Sequence, residues 1–199
     1  MNRRLAMFGG TFNPPHIGHV HAARAAADSL GLSVLWIPDN IPPHKELPAG
    51  SASPAERLEM TRLAAEEVPG SFVSDMELRR GERSYTADTL EELHVQYPED
   101  ELWLIVGTDM LCTLHRWYCP EKIFRLARIA AIARDEGDLV RIRESAEMLR
   151  EQYQAEIAVV EAEPVPISSS EIRAGLYHGT EKWLPERVFA YIRERGLYL

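Results

Sequence analysis

Only two of the 199 residues are cysteine, Cys112 and Cys119, and they lack the spacing of metal ligands or of a redox pair, so reduced thiols in a cytoplasmic protein are expected. No apolar run approaches the ~18 residues needed to span a bilayer. The basic Met1 to Arg4 leads only into a short run that ends in glycines, so neither a signal peptide nor an anchor is expected. Positive charge is short as well: 22 Lys and Arg against 31 Asp and Glu give a net charge of −9. That balance counts against a sequence-independent grip on nucleic acid, which depends on neutralising phosphates, whereas a small anion needs only local positive charge. There is no Gly-x-x-x-x-Gly-Lys-Ser/Thr loop and no Gly-x-Gly-x-x-Gly turn, which removes support for a P-loop ATPase or a dinucleotide dehydrogenase. Internal repeats and low-complexity tracts are also lacking. The length, with 45% apolar and 27% charged residues, suits one globular domain spanning 1–199.

What is present is concentrated in Met7 to His19, Met-Phe-Gly-Gly-Thr-Phe-Asn-Pro-Pro-His-Ile-Gly-His. Leu5 to Phe8 read as a buried parallel strand, and Gly9 and Gly10 let the backbone turn with no Cβ in the way of a ligand. Pro14 and Pro15 extend the loop, and Ile17 to Leu30 read as an alanine-rich helix whose first amides have no partner within it. An anion can supply that partner. His16 and His19, three apart, share a face of the opening turn and can both reach a phosphate there, with Gly18 leaving the approach uncrowded. Zinc would require His21 too, but it lies about 200° around the helix from His19, so one ion does not easily collect all three.

Further along, Val34 to Pro38 read as a second strand, completing a β-α-β unit. Residues 39–52 form a proline-rich loop that could move, and Ser53-Pro54-Ala55-Glu56 is a capping box opening a helix to about Val68. Phe72 to Leu78 read as a strand, Arg79 to Ser84 as a polar turn, and Thr86 as the cap of a helix to about Gln96. Leu102 to Val106 form a buried strand running into Gly107-Thr108-Asp109. Pro120 to Ala127 read as a helix, Ile129 to Ala133 as a strand, Asp138 to Gln154 as an amphipathic helix and Glu156 to Val160 as the last strand. Ser168-Ser169-Ser170-Glu171 is a second capping box, and Pro185 to Arg195 a final helix ended by Gly196. The alternation predicts an α/β fold with a doubly wound, Rossmann-like parallel sheet, against which the helices of residues 168–199 pack.

Four further segments suit an anionic nucleotide. Lys45, on the Pro42-Pro43-His44-Lys45 loop after the second strand, offers a point charge to a phosphate. Ser168, Ser169 and Ser170 present hydroxyls and amides at a helix start with Arg173 one turn in; the same helix could be purely structural. Asp109 follows a strand end and can accept from a ribose or cap the next helix, and Trp117 can stack on a heteroaromatic ring or pack in the core. Tyr85 and Thr86 open a helix at a polar turn, where two backbone donors favour a carboxylate over a carboxamide.

Taken together, Gly9-Gly10-Thr11-Phe12 with His16 and His19 resemble the signature of the nucleotidyltransferase superfamily. Adding Pro42-Pro43-His44-Lys45, Ser84 to Leu90, Val106 to Asp109, Trp117 and Ile167 to Arg173 narrows the resemblance to the bacterial nicotinate-nucleotide adenylyltransferases, over almost the whole chain. The resemblance implies adenylyl transfer from ATP to nicotinate mononucleotide, giving deamido-NAD and pyrophosphate with Mg²⁺ accompanying ATP and no protein metal site assigned. It implies catalytic roles for His16, His19, Lys45 and Arg173, and ATP contacts from Gly9, Gly10, Thr11, Phe12, Gly107, Asp109 and the three serines. Lys45, Tyr85, Thr86, Trp117 and Arg134 would meet nicotinate mononucleotide. No nucleic-acid or membrane partner is expected, and a homo-oligomer is left open. Three departures stand out: Asn13 where Asp is usual, Ser170 for Thr, and Asp135-Glu136 after Arg134 where Pro-Gly is commoner. The rival readings are another small adenylyltransferase, such as the pantetheine-phosphate enzyme, and a nucleotide sensor without catalysis.

Overall fold

The computed structural model describes residues 3–41, 47–133, 136–163, 165 and 167–199, with the side chain of residue 136 left aside. Strands are β1 (Arg4–Gly10), β2 (Ser33–Pro38), β3 (Phe72–Val73), β4 (Glu101–Gly107), β5 (Arg128–Ala133) and β6 (Ile157–Glu161). Helices are α1 (Ile17–Leu30), α2 (Pro54–Ala65), α3 (Met76–Arg80), α4 (Thr86–Gln96), α5 (Thr108–Thr113), α6 (Pro120–Leu126), α7 (Glu136–Tyr153), α8 (Ser169–Gly175) and α9 (Glu186–Arg195). The sheet order is β3-β2-β1-β4-β5-β6, and the pairs β1–β4, β4–β5 and β5–β6 run parallel. The chain thus winds outward from β1 to β3 and then returns to the other side of β1 with β4, the doubly wound order.

The strand sequences explain their place. Leu102 to Val106 are all buried, as a parallel strand covered on both faces requires, and the same holds for Leu5 to Phe8. Both strands end in glycine, where burial falls away and the backbone turns toward the segments of interest. The chain divides into two compact units. The first comprises residues 1–8, 22–35 and 85–164; the second comprises residues 9–21, 36–84 and 165–199. In the second, α9 lies against α2, and both predicted capping boxes form, Ser53 with Glu56 and Ser168 with Glu171.

Three local expectations are corrected. Of the strand expected over Phe72 to Leu78 only Phe72–Val73 exists; the Ser74 hydroxyl accepts from the Met76 N–H, and Met76–Arg80 turns into a short helix. Arg79 and Arg80 therefore belong to α3, which ends at Gly81 with φ of 75°, not to a polar turn. At α4 the capping position is taken by Tyr85 rather than Thr86, which is the first helical residue. No helix among the described residues is long and apolar enough to cross a membrane, and both cysteines are free thiols.

Candidate active site

In the second unit, the turn after β1 is built from carbonyls held inward. The Gly10 carbonyl accepts from the Asp39 N–H (3.0 Å), and the Thr11 carbonyl accepts from the Arg57 guanidinium (2.8 Å). A trans peptide sets its C=O and N–H on opposite sides, so the Thr11 and Phe12 amides are turned away from those partners. Consecutive amides aimed one way are what an anion recognises. Thr11 Oγ1 donates to Asp39 (2.9 Å), so Thr11 offers its amide rather than its hydroxyl. Phe12 sits at φ 48°, with its ring 2% exposed and packed edge-on to His19 and against Trp36. Phe12 too can meet a nucleotide only through its backbone. A Cβ on Gly10 would lie 3.0 Å from that ring, which is why glycine stands there.

The two imidazoles come next. The Gly18 N–H donates to His16 Nδ1 (3.1 Å) and the His16 N–H donates to His19 Nδ1 (3.1 Å). With Nδ1 accepting, the proton of each neutral ring is on Nε2, so both rings present a donor at their far edge. The ring centroids are 3.8 Å apart. Burial pushes the pKa of His16 down to about 4, which keeps it neutral near pH 7. Gly18 is needed because His16 folds back over it: a Cβ there would stand 3.0 Å from the ring. The space that Gly18 leaves, expected to keep a phosphate's approach uncrowded, is taken by the His16 ring.

Arg173 and the serines lie in the same unit. Arg173 donates to the Asn13 carbonyl (2.6 Å) and to Ser170 Oγ (3.2 Å), while Ser169 Oγ donates to the Pro14 carbonyl (2.9 Å). Ser168 Oγ is taken by its capping box with Glu171. The serine-rich helix start is thus joined to the Asn13–Pro14 peptide, which is cis. Asn13 is buried and bonded at both ends of its amide: its Oδ1 accepts from Tyr198 (2.7 Å) and the Ala52 N–H (3.2 Å), and its Nδ2 donates to Ser51 (2.8 Å). The departure from Asp falls on a structural position.

In the first unit, Gly107 occupies the capping position of α5 with φ of −79°, and a Cβ there would meet nothing within 4 Å. Neither backbone strain nor packing demands glycine there; glycine is a favoured helix-capping residue, and without a Cβ it leaves the position open. Thr108 is buried, and Asp109 is exposed with its carboxylate 2.6 Å from Arg141. Tyr85 and Thr86 are half-buried at the start of α4, whose 11 residues give the Thr86 and Ala87 amides no partner within the helix. The ring of Tyr118, half exposed, lies 4.7 Å from that of Tyr85, and Trp117 beside it is partly exposed. Lys45 and Arg134 lie outside the described residues.

Several supporting residues were not found by sequence reasoning: Asp39, Arg57, Tyr118, Arg141 and Tyr198. For Arg57 a signal existed, since it shares a helical stripe with the buried Met60 and Ala64.

Residues 7–175 match the cytidylyltransferase-like family model. A Gloeobacter violaceus protein named "Probable nicotinate-nucleotide adenylyltransferase" is 40% identical over 202 residues, covering 100% of this chain and 97% of that protein. A protein of the same name from Carboxydothermus hydrogenoformans is 38% identical, with 98% of each chain covered. The fold is similar to that of Plasmodium falciparum nicotinic acid mononucleotide adenylyltransferase complexed with NaAD. That likeness has a TM-score of 0.77 at 18% identity and covers 99% of this chain and 98% of that one.

Proposed function

The chain belongs to the nicotinate-nucleotide adenylyltransferases within the cytidylyltransferase-like family, and from that premise we propose that it transfers the adenylyl group of ATP to nicotinate mononucleotide. The products are deamido-NAD and pyrophosphate. An oxygen of the mononucleotide phosphate bonds to the α-phosphorus as the bond to the bridging oxygen breaks, and the electron pair leaves with pyrophosphate. The attacking phosphate is already anionic, so no protein base is required, and catalysis is positioning and charge stabilisation.

The observation that carries this reading is the pair of imidazoles opening α1, each held by a backbone N–H so that Nε2 is a donor. His16, His19 and the Gly9 to Phe12 amides meet the α- and β-phosphates. Arg173, with Lys45 and the first turn of Ser168 to Ser170, attends the leaving pyrophosphate. Gly107 and Asp109 receive the adenosine, the carboxylate of Asp109 accepting from ribose hydroxyls. Trp117 stacks on the pyridine ring, Arg134 meets a phosphate, and the Tyr85–Thr86 turn donates to the pyridine carboxylate, which a carboxamide cannot match without presenting its own NH₂ to donors. Asp39, the carboxylate beside the turn, is engaged by Thr11 and Arg57, so this donor set suits a Mg²⁺ ion that arrives on the triphosphate. Carried there, Mg²⁺ would neutralise phosphate charge. The two free thiols fit work in the reducing cytoplasm, and residues 1–199 act as one catalytic domain.

Pyrophosphate release from ATP, measured with nicotinate mononucleotide, its amide and phosphopantetheine, tests the proposal. Release is expected with the acid, far less with the amide and none with phosphopantetheine. Equal use of acid and amide would refute the carboxylate site, and preference for phosphopantetheine would refute the acceptor. ATP binding with no release from any of the three would make the chain a sensor.

A further inference from the structure

The second unit contains a charged group that the transfer chemistry leaves unused. Arg57, on the first turn of α2, has a side chain with 0% exposure. Its guanidinium donates to the Thr11 carbonyl (2.8 Å), to Asp39 Oδ1 (3.3 Å) and to the Asn40 carbonyl (3.3 Å), while Nε is buried with no partner among the described residues. Burying an arginine against one carboxylate, with a donor left over, is a poor way to gain stability, since an apolar replacement is often neutral or better. The shortest bond, to Thr11, indicates what the position provides. Asp39 completes the clamp by accepting from Thr11 Oγ1 through its second oxygen and donating its N–H to the Gly10 carbonyl.

Tyr198 does the same two residues along. Its half-buried phenol, whose pKa burial raises above the ordinary tyrosine value, donates to Asn13 Oδ1 (2.7 Å). Asn13 also spans to Ser51 and Ala52, and its carbonyl takes Arg173. Residues 10–14 are therefore gripped by α2, by the segment after β2, by α8 and by the turn after α9, and the hydrogen bonds named above fall on carbonyls or on the Thr11 and Asn13 side chains. Across their trans peptides, the amides of Thr11 and Phe12 face away from the partners of the Gly10 and Thr11 carbonyls.

We propose that Arg57, through the Thr11 carbonyl, and Tyr198, through the Asn13 side chain, are positioning residues that hold the turn's amides toward a bound polyphosphate. This rests on reading that turn as the polyphosphate site. Neither residue touches substrate. An error of about 1 Å in such a constellation costs on the order of 10²-fold in rate.

The test uses R57K, which keeps the charge but loses the planar fork, and Y198F, which removes one O–H. Calorimetry with inorganic tripolyphosphate and magnesium is expected to show binding to the parent, weakened about tenfold or more in R57K and by about threefold in Y198F. In steady state kcat/KM for ATP falls in parallel, while KM for nicotinate mononucleotide stays within about twofold of the parent. A merely structural role would lower thermal stability without that split between substrates. Tripolyphosphate binding equal to the parent in a folded R57K and in Y198F would overturn the proposal, and if R57K does not fold, Y198F decides alone. Tripolyphosphate binding that weakens as expected, in a protein that releases no pyrophosphate with any acceptor, would instead count against the adenylyl-transfer reading and leave the positioning role standing.

Discussion

Asn13 and Asp109 each follow a buried parallel strand that ends in glycine, yet Asn13 is 2% exposed with its amide bonded on both sides, and the Asp109 side chain is 75% exposed. The glycines differ in the same sense: a Cβ at Gly10 would press on Phe12, and one at Gly107 would meet nothing. The turn after β1 is closed, its side chains spent on holding backbone, whereas the segment after β4 keeps the Asp109 carboxylate exposed beside Arg141. On the proposed function, the contrast follows from what each would recognise. Triphosphate oxygens are met well by fixed amides and imidazole donors whose reorganisation cost is met during folding. A ribose and a pyridine ring are read by shape and by side-chain hydrogen bonding, which need open groups.

Substitutions can break this contrast, and the largest effect is expected at His19. H19A should lower turnover by on the order of 10²- to 10³-fold, the loss typical of one transition-state donor. Turnover within twofold of the parent would remove that role.

Next is the pH dependence of His16. Its folded pKa of about 4 lies below the ordinary 6.5, so the unfolded chain binds more protons between those values and stability falls as pH drops from about 6.5 to about 4. The loss is on the order of 3 kcal/mol relative to H16Q, read by denaturant titration at both pH values. Equal pH dependence in parent and H16Q would show that His16 is not held neutral by burial.

In the open segment W117A should raise KM for nicotinate mononucleotide by about tenfold and leave KM for ATP within about twofold, as expected for loss of one stacking face. Equal changes in both constants would place Trp117 in support rather than recognition.

The smallest effect belongs to N13D. A carboxylate can accept from the Tyr198 hydroxyl, the Ala52 N–H and a rotated Ser51 hydroxyl, so turnover should stay within about twofold. A tenfold loss would mean that the charge at 13 matters to the reaction.

These differences also explain which features are legible in the sequence. Leu5 to Phe8 and Leu102 to Val106 are apolar runs of strand length ending in glycine, and the boxes at Ser53 and Ser168 are local signals, so sheet and caps were legible. The His16 and His19 pair was legible because spacing along one helix fixes it. Met76–Arg80 is not, since Phe72, Met76 and Leu78 mimic a strand's alternation and Ser74, which bounds the helix, falls inside that run. Arg57 and Tyr198 were hidden by distance: their partners lie 46 and 185 residues away, and only the folded chain brings them together.

The central claim is that the closed turn supplies donors and no nucleophile, so that adenylyl transfer is a single in-line displacement. Reaction of nicotinate mononucleotide with ATP carrying a chiral α-phosphorothioate measures this directly. Inversion at phosphorus is predicted; retention would require an adenylyl-enzyme intermediate and would contradict the account.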